Sequence, residues 1–263
     1  MLMKIPLGKF RYSISQKLRP FQILVRPKYD PEVEALPKLV SPGNTVLDIG
    51  AHYGQYTRVL SRLVGSEGKI FSFEPALSTF KGLKQTCRLL RLNNVMLVRS
   101  ALCDVSGEAP LHTPIKSNRS YGISLAHLGV DTRRESIKEL VTTITLDEFV
   151  KTKKISSMAF IKCDVEGAEL KVFQGGQKAL ERFRPTILCE VNRLHLARHQ
   201  QTPEELEEFF KKMSYRFFIW RDHALREMNT IKETQGTCNY FFIPVEIIKT
   251  GIPASTMANP MKD

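Results

Sequence analysis

The spacing between apolar residues changes repeatedly along the chain, from short continuous runs to a helical spacing. Each such change marks the start of a predicted strand or helix. Short apolar runs rich in strand-forming residues recur, and each one ends at a polar residue or a turn. Between the runs, apolar residues return at helical spacing, as Tyr56, Val59 and Leu63 do before Gly65 ends the pattern. The predicted central strands are residues 45–49, 69–73, 95–98, 158–163 and 186–190. This alternation favours an α/β fold with a doubly wound, mostly parallel sheet.

The remaining pattern extends the same unit toward the C-terminus. Thr202 and Glu205 form a predicted capping box, with Pro203 at the first helical position. Gly175 and Gly176 weaken one of the predicted helices midway. The further predicted elements are a strand at 141–144, a helix from 145, helices at 166–180 and 203–213, and strands at 215–220 and 239–245.

The domain organisation follows from where this pattern starts and stops. We predict a single domain over residues 31–248, preceded by a basic arm at 1–30 and followed by a tail at 249–263 that has no pattern and is expected to be frayed. Residues 110–140 are polar and rich in turn formers. This segment is either a loop that contacts a substrate or an ordinary antiparallel excursion.

The stretch after the first strand combines an acid, a glycine turn and a helix start. Asp48 lies at the end of the strand, and Gly50 and Gly54 bracket the turn that leads to Tyr56. Glycine lets a backbone approach a ligand closely, and a helix start presents free N–H groups. We therefore expect a ligand site here.

The type of ligand follows from what this turn lacks. A dinucleotide site needs Gly-x-Gly-x-x-Gly, but His52 occupies the position of the middle glycine. Glu74 ends the second strand, where a ribose-binding carboxylate is expected in such folds. Asp48 and Glu74 therefore indicate a nucleoside without phosphate, and the nucleoside with a charged amino-acid tail is S-adenosylmethionine.

Three motifs resemble those of the FkbM family of S-adenosylmethionine-dependent methyltransferases. They are Asp-Ile-Gly-Ala-His-Tyr-Gly at 48–54, Phe-Glu-Pro at 73–75 and Ile-Lys-Cys-Asp-Val-Glu-Gly-Ala-Glu at 161–169, of which the third is the most specific. The similarity spans roughly residues 42–220. It implies a class I methyltransferase fold whose seven-stranded sheet ends in an antiparallel strand pair. It also implies O-methylation of a small-molecule or glycan acceptor, such as a sugar, a glycolipid or a secondary metabolite.

The resemblance also assigns the donor site. Asp48 and Gly50 would meet the methionine end of S-adenosylmethionine, and Glu74 would accept hydrogen bonds from both ribose hydroxyls. His52 either faces the donor or only fills the turn, and Lys162 could approach the donor carboxylate. The other predicted cofactor-binding residues are Ala51, Gly54 and Tyr56 in the turn and Ser100, Ala101 and Leu102 beside the adenine.

The acceptor chemistry is predicted at the end of the fourth central strand. We expect Asp164 to orient the acceptor or to act as the base, with Glu166 as the second candidate. The alternative for Glu166 and Glu169 is that they stabilise the start of the next helix. Cys163 lies within the strand and is expected to be a core residue.

A divalent metal is possible in this half of the site but is not the favoured prediction. Asp164, Glu190 and Asn192 offer the oxygen ligands that a Mg²⁺-like ion prefers. Catechol-type methyltransferases use a comparable Asp and Asp-Asn arrangement, from which this sequence departs at Val191. His195 and His199 are predicted to be polar surface residues.

The charge distribution leaves two alternative functions open. The net charge is +12, and residues 1–29 carry seven basic residues and no acid. Such an arm suits an acidic membrane surface, an anionic substrate or nucleic acid. One alternative is therefore an RNA methyltransferase, and the other is a non-enzymatic protein that docks to a membrane or partner. Nucleic acid is less favoured because no basic platform interleaved with aromatic residues is visible.

Composition bounds the cellular location. Hydrophobic residues make up 42% of the chain and charged residues 25%, so a sizeable core is available. No apolar run approaches the roughly 20 residues needed to cross a bilayer, and the N-terminus shows no signal segment. Five cysteines without metal-ligand spacing fit a reducing compartment. We expect a cytoplasmic protein that the basic arm could associate with a membrane.

Overall fold

The computed structural model describes residues 30–115, 126–128, 135–231, 237–250 and 256–257. The predictions for the basic arm at 1–29 lie outside these residues, as do those for most of 116–134. Within the described residues, no helix is both long and apolar enough to cross a membrane.

Eleven strands and nine α-helices are assigned in the described residues. The strands are β1 Thr45–Ile49, β2 Lys69–Phe73, β3 Val95–Val98, β4 Ala101–Leu102, β5 Gly107–Pro114, β6 Ser136–Ile144, β7 Phe160–Cys163, β8 Thr186–Val191, β9 Tyr215–Arg221, β10 Ala224–Met228 and β11 Cys238–Pro244. The helices are α1 Leu36–Leu39, α2 Gln55–Val64, α3 Leu77–Leu89, α4 Leu146–Thr152, α5 Glu169–Gln174, α6 Gln177–Phe183, α7 Arg193–Leu196, α8 Pro203–Lys212 and α9 Val245–Thr250.

The main sheet has eight strands in the order β10-β9-β11-β8-β7-β1-β2-β3. Strands β1, β2, β3, β7 and β8 are parallel, and β9, β10 and β11 are antiparallel to their neighbours. The predicted α/β class I fold is thereby confirmed. One strand more than predicted is present because Asp222 and His223, with φ of 51° and 60°, make a two-residue turn that folds β10 onto β9.

The segment predicted as an insertion contributes to a second sheet of order β4-β6-β5. Strands β5 and β6 pair antiparallel from Gly107 with Thr143 to Pro114 with Ser136. The short strand predicted at 141–144 is thus the end of a longer one. An antiparallel excursion is observed, and residues 126–128 bring part of it to the cleft described below.

Apolar residues fill both faces of the main sheet. In β1, Leu47 belongs to one core cluster and Val46 to the other, because successive side chains of a strand point to opposite faces. The central strands are therefore buried on both sides, as parallel strands usually are. Their carboxyl ends share one edge, where ligands bind in open α/β sheets.

Two local predictions need correction. The helix predicted at 166–180 is two helices, α5 and α6, separated at Gly175 and Gly176. A Cβ on Gly175 would lie 2.1 Å from the backbone oxygen of Cys103, so this break lets the β4 end approach the helices. The tail is not frayed throughout, because Thr256 is buried and Met257 forms a bridge with Leu225 of β10.

Candidate functional site

A cleft of about 390 Å³ lies at the carboxyl ends of β1, β2, β7 and β8. It lies within the range of about 300–1,000 Å³ typical of small-molecule sites. All predicted site residues line it except Gly54 and Asn192. The half of the cleft formed by β1, β2 and β4 holds the residues predicted to bind the methyl donor and is called the donor half, and the acid-rich half is formed by β7 and β8.

The glycine turn after β1 serves the protein framework more than a ligand. The N–H groups of Gly50 and Ala51 both donate to the Phe73 carbonyl, and that of His52 donates to Glu74. These three N–H groups are therefore not free for a ligand, whereas the predicted free N–H groups belong to the start of α2 at Gln55. A Cβ on Gly54 would lie 2.8 Å from Leu83 Cδ1, so this glycine permits packing against α3 and does not line the cleft.

Asp48 is almost completely buried at the end of β1, with 1% of its surface exposed. Its carboxylate accepts a hydrogen bond from the Thr57 hydroxyl of α2, which lies 3.0 Å from the Ser72 hydroxyl. Burial raises the pKa of Asp48 to about 6. The acid thus connects the strand end to the helix start and keeps little surface for direct ligand contact.

Glu74 forms the floor of the donor half beyond β2. Its Oε1 accepts hydrogen bonds from Ala76 N–H at 3.0 Å and the Thr79 hydroxyl at 2.7 Å, and its Oε2 accepts one from His52 N–H at 3.0 Å. A carboxylate has about four lone-pair sites, so the open one is on Oε2. Burial raises the pKa of Glu74 to about 7. The geometry of Glu74 therefore suits one further hydrogen bond more readily than the predicted hydrogen bonds from both ribose hydroxyls.

Lys162 is a buried cation between the two halves. Its Nζ lies 3.1 Å from Asp164 Oδ2 and 4.9 Å from the centre of the Tyr56 ring. Burial opposes the charge of the ammonium, but Asp164 and Asp48 outweigh it, so the pKa of Lys162 is raised. Its direct partner is Asp164, and the predicted role at a donor carboxylate is not visible in this arrangement.

Tyr56 and the last predicted donor residues form the walls of the cleft. The Tyr56 hydroxyl donates to Asp30 at 3.1 Å, which closes one side. Ser100, Ala101 and Leu102 line the other side, as predicted for the adenine. Residues that the sequence reading missed also lie there: Leu111 of β5 and Ala126, His127 and Leu128. The pairing of β5 with β6 places Leu111, and an antiparallel bridge between His112 and His127 places residues 126–128.

Three carboxyl groups crowd the acid-rich half: Asp164 and Glu166 after β7, and Glu190 near the end of β8. Burial raises the pKa of Glu166 to about 8 and that of Glu190 to about 9, and the neighbouring charge of Asp164 adds to both shifts. Burial works in the same direction on Asp164, but Lys162 reverses it, so the pKa of Asp164 is lowered. Asp164 is thus the carboxylate that stays charged.

Two predictions about helix acids and histidines change here. Glu166 precedes α5 in a left-handed conformation, with φ of 58°, whereas Glu169 begins the helix and accepts from Val165 and Gly167 N–H. His195 is half-buried rather than exposed, and its Nδ1 lies 3.0 Å from Glu166 Oε2. A Cβ on Gly167 would lie 2.1 Å from the His195 carbonyl, so glycine permits this approach of α7.

Asn192 does not belong to this cluster. Its side-chain oxygen accepts hydrogen bonds from the N–H groups of Leu194 and His195, and so caps α7. Its amide donates to the Thr237 hydroxyl. The predicted metal set of Asp164, Glu190 and Asn192 is therefore wrong in its third member. His199 is half-buried rather than exposed.

Comparisons with known proteins found a curated relative and solved structures that are partly similar to this chain. The curated hexuronic acid methyltransferase AglP of Haloferax volcanii is 28% identical over 142 residues, which cover 54% of this chain and 53% of AglP. The chain thus spans about half the length of this relative. A methyltransferase FkbM structure from Methylobacillus flagellatus KT has a TM-score of 0.47 at 14% identity, covering 87% of this chain and 60% of that one. An O-methyltransferase from Bacillus cereus in complex with SAH has a TM-score of 0.48 at 12% identity, covering 90% and 95%.

The family model supplies the assignment. The model of the family described as "Methyltransferase FkbM domain" matches residues 48–217. This range begins at Asp48, just before the glycine turn, and ends in β9. The match takes in both halves of the cleft and the motif at 161–169. The chain belongs to the family of FkbM methyltransferase domains.

Proposed function

We propose that the protein transfers the methyl group of S-adenosylmethionine to a hydroxyl oxygen of a sugar or a similar small hydroxylated acceptor. The observation that carries this proposal is the division of one cleft into a donor half with Glu74 and an acid-rich half with Asp164 and Glu166. Membership of the FkbM methyltransferase domain family supports the transfer, and the description of AglP as a hexuronic acid methyltransferase supports a sugar acceptor.

The donor half fits S-adenosylmethionine by its chemistry. The open acceptor position on Glu74 suits a ribose hydroxyl, and the walls at Phe73, Ala101 and Leu102 suit an apolar ring face. When bound, S-adenosylmethionine supplies a methyl group already activated by its positively charged sulfur. The protein therefore needs to align the acceptor and remove one proton.

The acid-rich half can do both. In the transfer an O–CH₃ bond forms, an S–CH₃ bond breaks, and the hydroxyl proton passes to a base. Asp164 is charged and about one-third exposed, so it can accept hydrogen bonds from the acceptor and take this proton. Glu166 is the second candidate, as its raised pKa is closer to that of an effective base.

The acid-rich lining bears on the alternative of an RNA acceptor. Phosphate groups bind to clusters of lysine and arginine, and binding neutralises their charge. Among the described residues that line the cleft, Lys162 is the one lysine or arginine, and it already pairs with Asp164. Hydroxyl-rich acceptors suit carboxylates better, because each carboxylate oxygen accepts hydrogen bonds from hydroxyls.

The acceptor can be tested with labelled S-adenosylmethionine and three acceptor classes: neutral hexosides, hexuronic acids and RNA. We expect label in a sugar product that survives mild base, since a methyl ether is stable where a methyl ester is hydrolysed. Label in RNA, label in a base-labile ester, or no transfer by a protein that binds S-adenosylhomocysteine would each refute the proposed acceptor.

Replacing Glu74 by alanine should weaken binding of S-adenosylhomocysteine about 10- to 100-fold, measured by calorimetry. The reason is loss of a hydrogen bond to the carboxylate form of Glu74, which predominates above its pKa of about 7; such a bond is worth about 1.5–3 kcal/mol. Thr79→Val is the matched control, because it removes an internal partner of the same carboxylate and leaves Oε2 in place. We expect the control to bind nearly as well as the wild type. Equal losses in the two variants would show that Glu74 only supports the fold.

A further inference from the structure

We propose that Glu166, Glu190 and His195 together bind one divalent transition-metal cation such as Mn²⁺ or Zn²⁺. One ligand atom from each residue can be chosen so that all three lie within 4.8 Å of one another. The three come from separate segments: the loop after β7, the end of β8 and helix α7. Two of them, Glu166 and Glu190, line the cleft, so an ion held here would face it.

Two buried atoms in this cluster point to a missing ligand. Glu166 Oε2 and His195 Nδ1 are both inaccessible to solvent, and neither makes a hydrogen bond within the described residues, although they lie only 3.0 Å apart. Buried polar atoms are normally hydrogen-bonded, and these two would pair with each other only through a proton on Nδ1; without it, both direct lone pairs at the same point. A cation that accepts an electron pair from each atom would provide a partner for both.

The types of ligand atom in this cluster also indicate the class of cation. Two carboxylates and one imidazole combine oxygen and nitrogen ligands, which suit Mn²⁺, Fe²⁺ or Zn²⁺, whereas Mg²⁺ and Ca²⁺ favour oxygen alone. Asp164 is not included because Lys162 occupies it at 3.1 Å. The cation site therefore lies beside that ion pair, and it differs from the set predicted with Asn192.

The consequence for the reaction rests on the proposed transfer to a hydroxyl. An ion at the acid-rich end of the cleft would bind acceptor oxygens through its remaining positions and lower the pKa of a bound hydroxyl. Asp164, which is about one-third exposed beside this site, would then need to remove only a weakly held proton.

Cation binding can be measured without donor or acceptor. Protein freed of metal with a chelator is titrated with Mn²⁺, and free Mn²⁺ is followed by electron paramagnetic resonance. We expect one site per chain, weakened at least tenfold by either Glu190→Gln or His195→Asn. The matched control is His223→Asn, because His223 also pairs with a glutamate, Glu34 at 2.8 Å, but at an exposed position. Circular dichroism confirms that each variant is folded.

The outcomes separate this inference from the proposed function. Absence of a Mn²⁺ site, unchanged affinity in both variants, or an equal loss in the control would overturn the cation site. None of these results would alter the binding of S-adenosylhomocysteine that tests the donor half. Conversely, a result that refutes S-adenosylhomocysteine binding at Glu74 would leave a measured Mn²⁺ site unaffected.

Discussion

Replacing Lys162 by methionine is expected to destabilise the protein by about 3–5 kcal/mol, the usual cost of removing one partner of a buried ion pair. The side chain is only 2% exposed, and it neutralises Asp164 directly and Asp48 through space. Methionine has a similar length but leaves these carboxylates without a cation. Since natural domains are stable by about 5–15 kcal/mol, the loss is a large fraction of the total.

The loss should also depend on pH. The pKa of Asp48 is raised to about 6 in the folded protein, and it would rise further without Lys162. A folded-state pKa above the unfolded value means that the folded state binds more protons, so stability falls as pH rises toward the folded pKa. In the variant this fall continues to higher pH. The difference from wild type should therefore be larger at pH 8 than at pH 5.

Urea unfolding of both proteins at the two pH values measures this effect. Lys38→Met is the matched control, because Lys38 is exposed and lies 5.1 Å from the Trp220 ring centre. We expect the control to lose less than about 1 kcal/mol, as surface substitutions usually do. A Lys162→Met protein as stable as the control would show that the central carboxyl groups are not balanced by this cation.

Replacing Gly50 by alanine should cost more than about 4 kcal/mol and leave little folded protein. Gly50 has φ of +78°, and a Cβ at this position would lie 1.8 Å from the backbone oxygen of Asp164. That oxygen cannot move easily, because the Asp164 N–H donates to the Ile49 carbonyl at 3.0 Å. The methyl group would therefore separate the ends of β1 and β7, where the two halves of the cleft meet.

Gly43→Ala isolates the contribution of the backbone conformation. Gly43 has φ of +81°, close to that of Gly50, but a Cβ there would have no heavy atom within 4 Å. Its expected cost is about 1–2 kcal/mol, the penalty for a left-handed residue with a side chain. Thermal and urea unfolding compare the two. Equal losses would mean that the close approach to Asp164 is not required for the fold.

The two predictions concern the same part of the molecule. Lys162 and Asp164 lie on and just beyond β7, and Gly50 follows β1, which pairs with β7 through Ile49 and Cys163. The cleft is thus built on two strands that are almost entirely buried, which keeps its charged groups in fixed positions. Electrostatic groups held in this way need little reorganisation during a reaction.

The order of strands and helices could be predicted from the sequence because it depends on local periodicity. Apolar runs of about five residues, turn residues between them and a capping box at Thr202 all act over short distances. The same local signals placed Asp48 and Glu74 at strand ends. Since parallel strands share one edge for their carboxyl ends, these acids had to face a common cleft. The motif at 161–169 indicated the FkbM family.

Only the tertiary structure decided which of these groups remain available to a ligand. The His52 N–H donates to Glu74, and His195 lies beside Glu166, and both contacts join segments whose distance the local pattern does not specify. Gly54 likewise faces Leu83, and Asp222 with His223 forms a hairpin turn that lacks the usual glycine. The sequence by itself determined the fold class and the edge that holds the site. The partner of each side chain was decided by packing, because contacts between distant segments exist only once the sheet has formed.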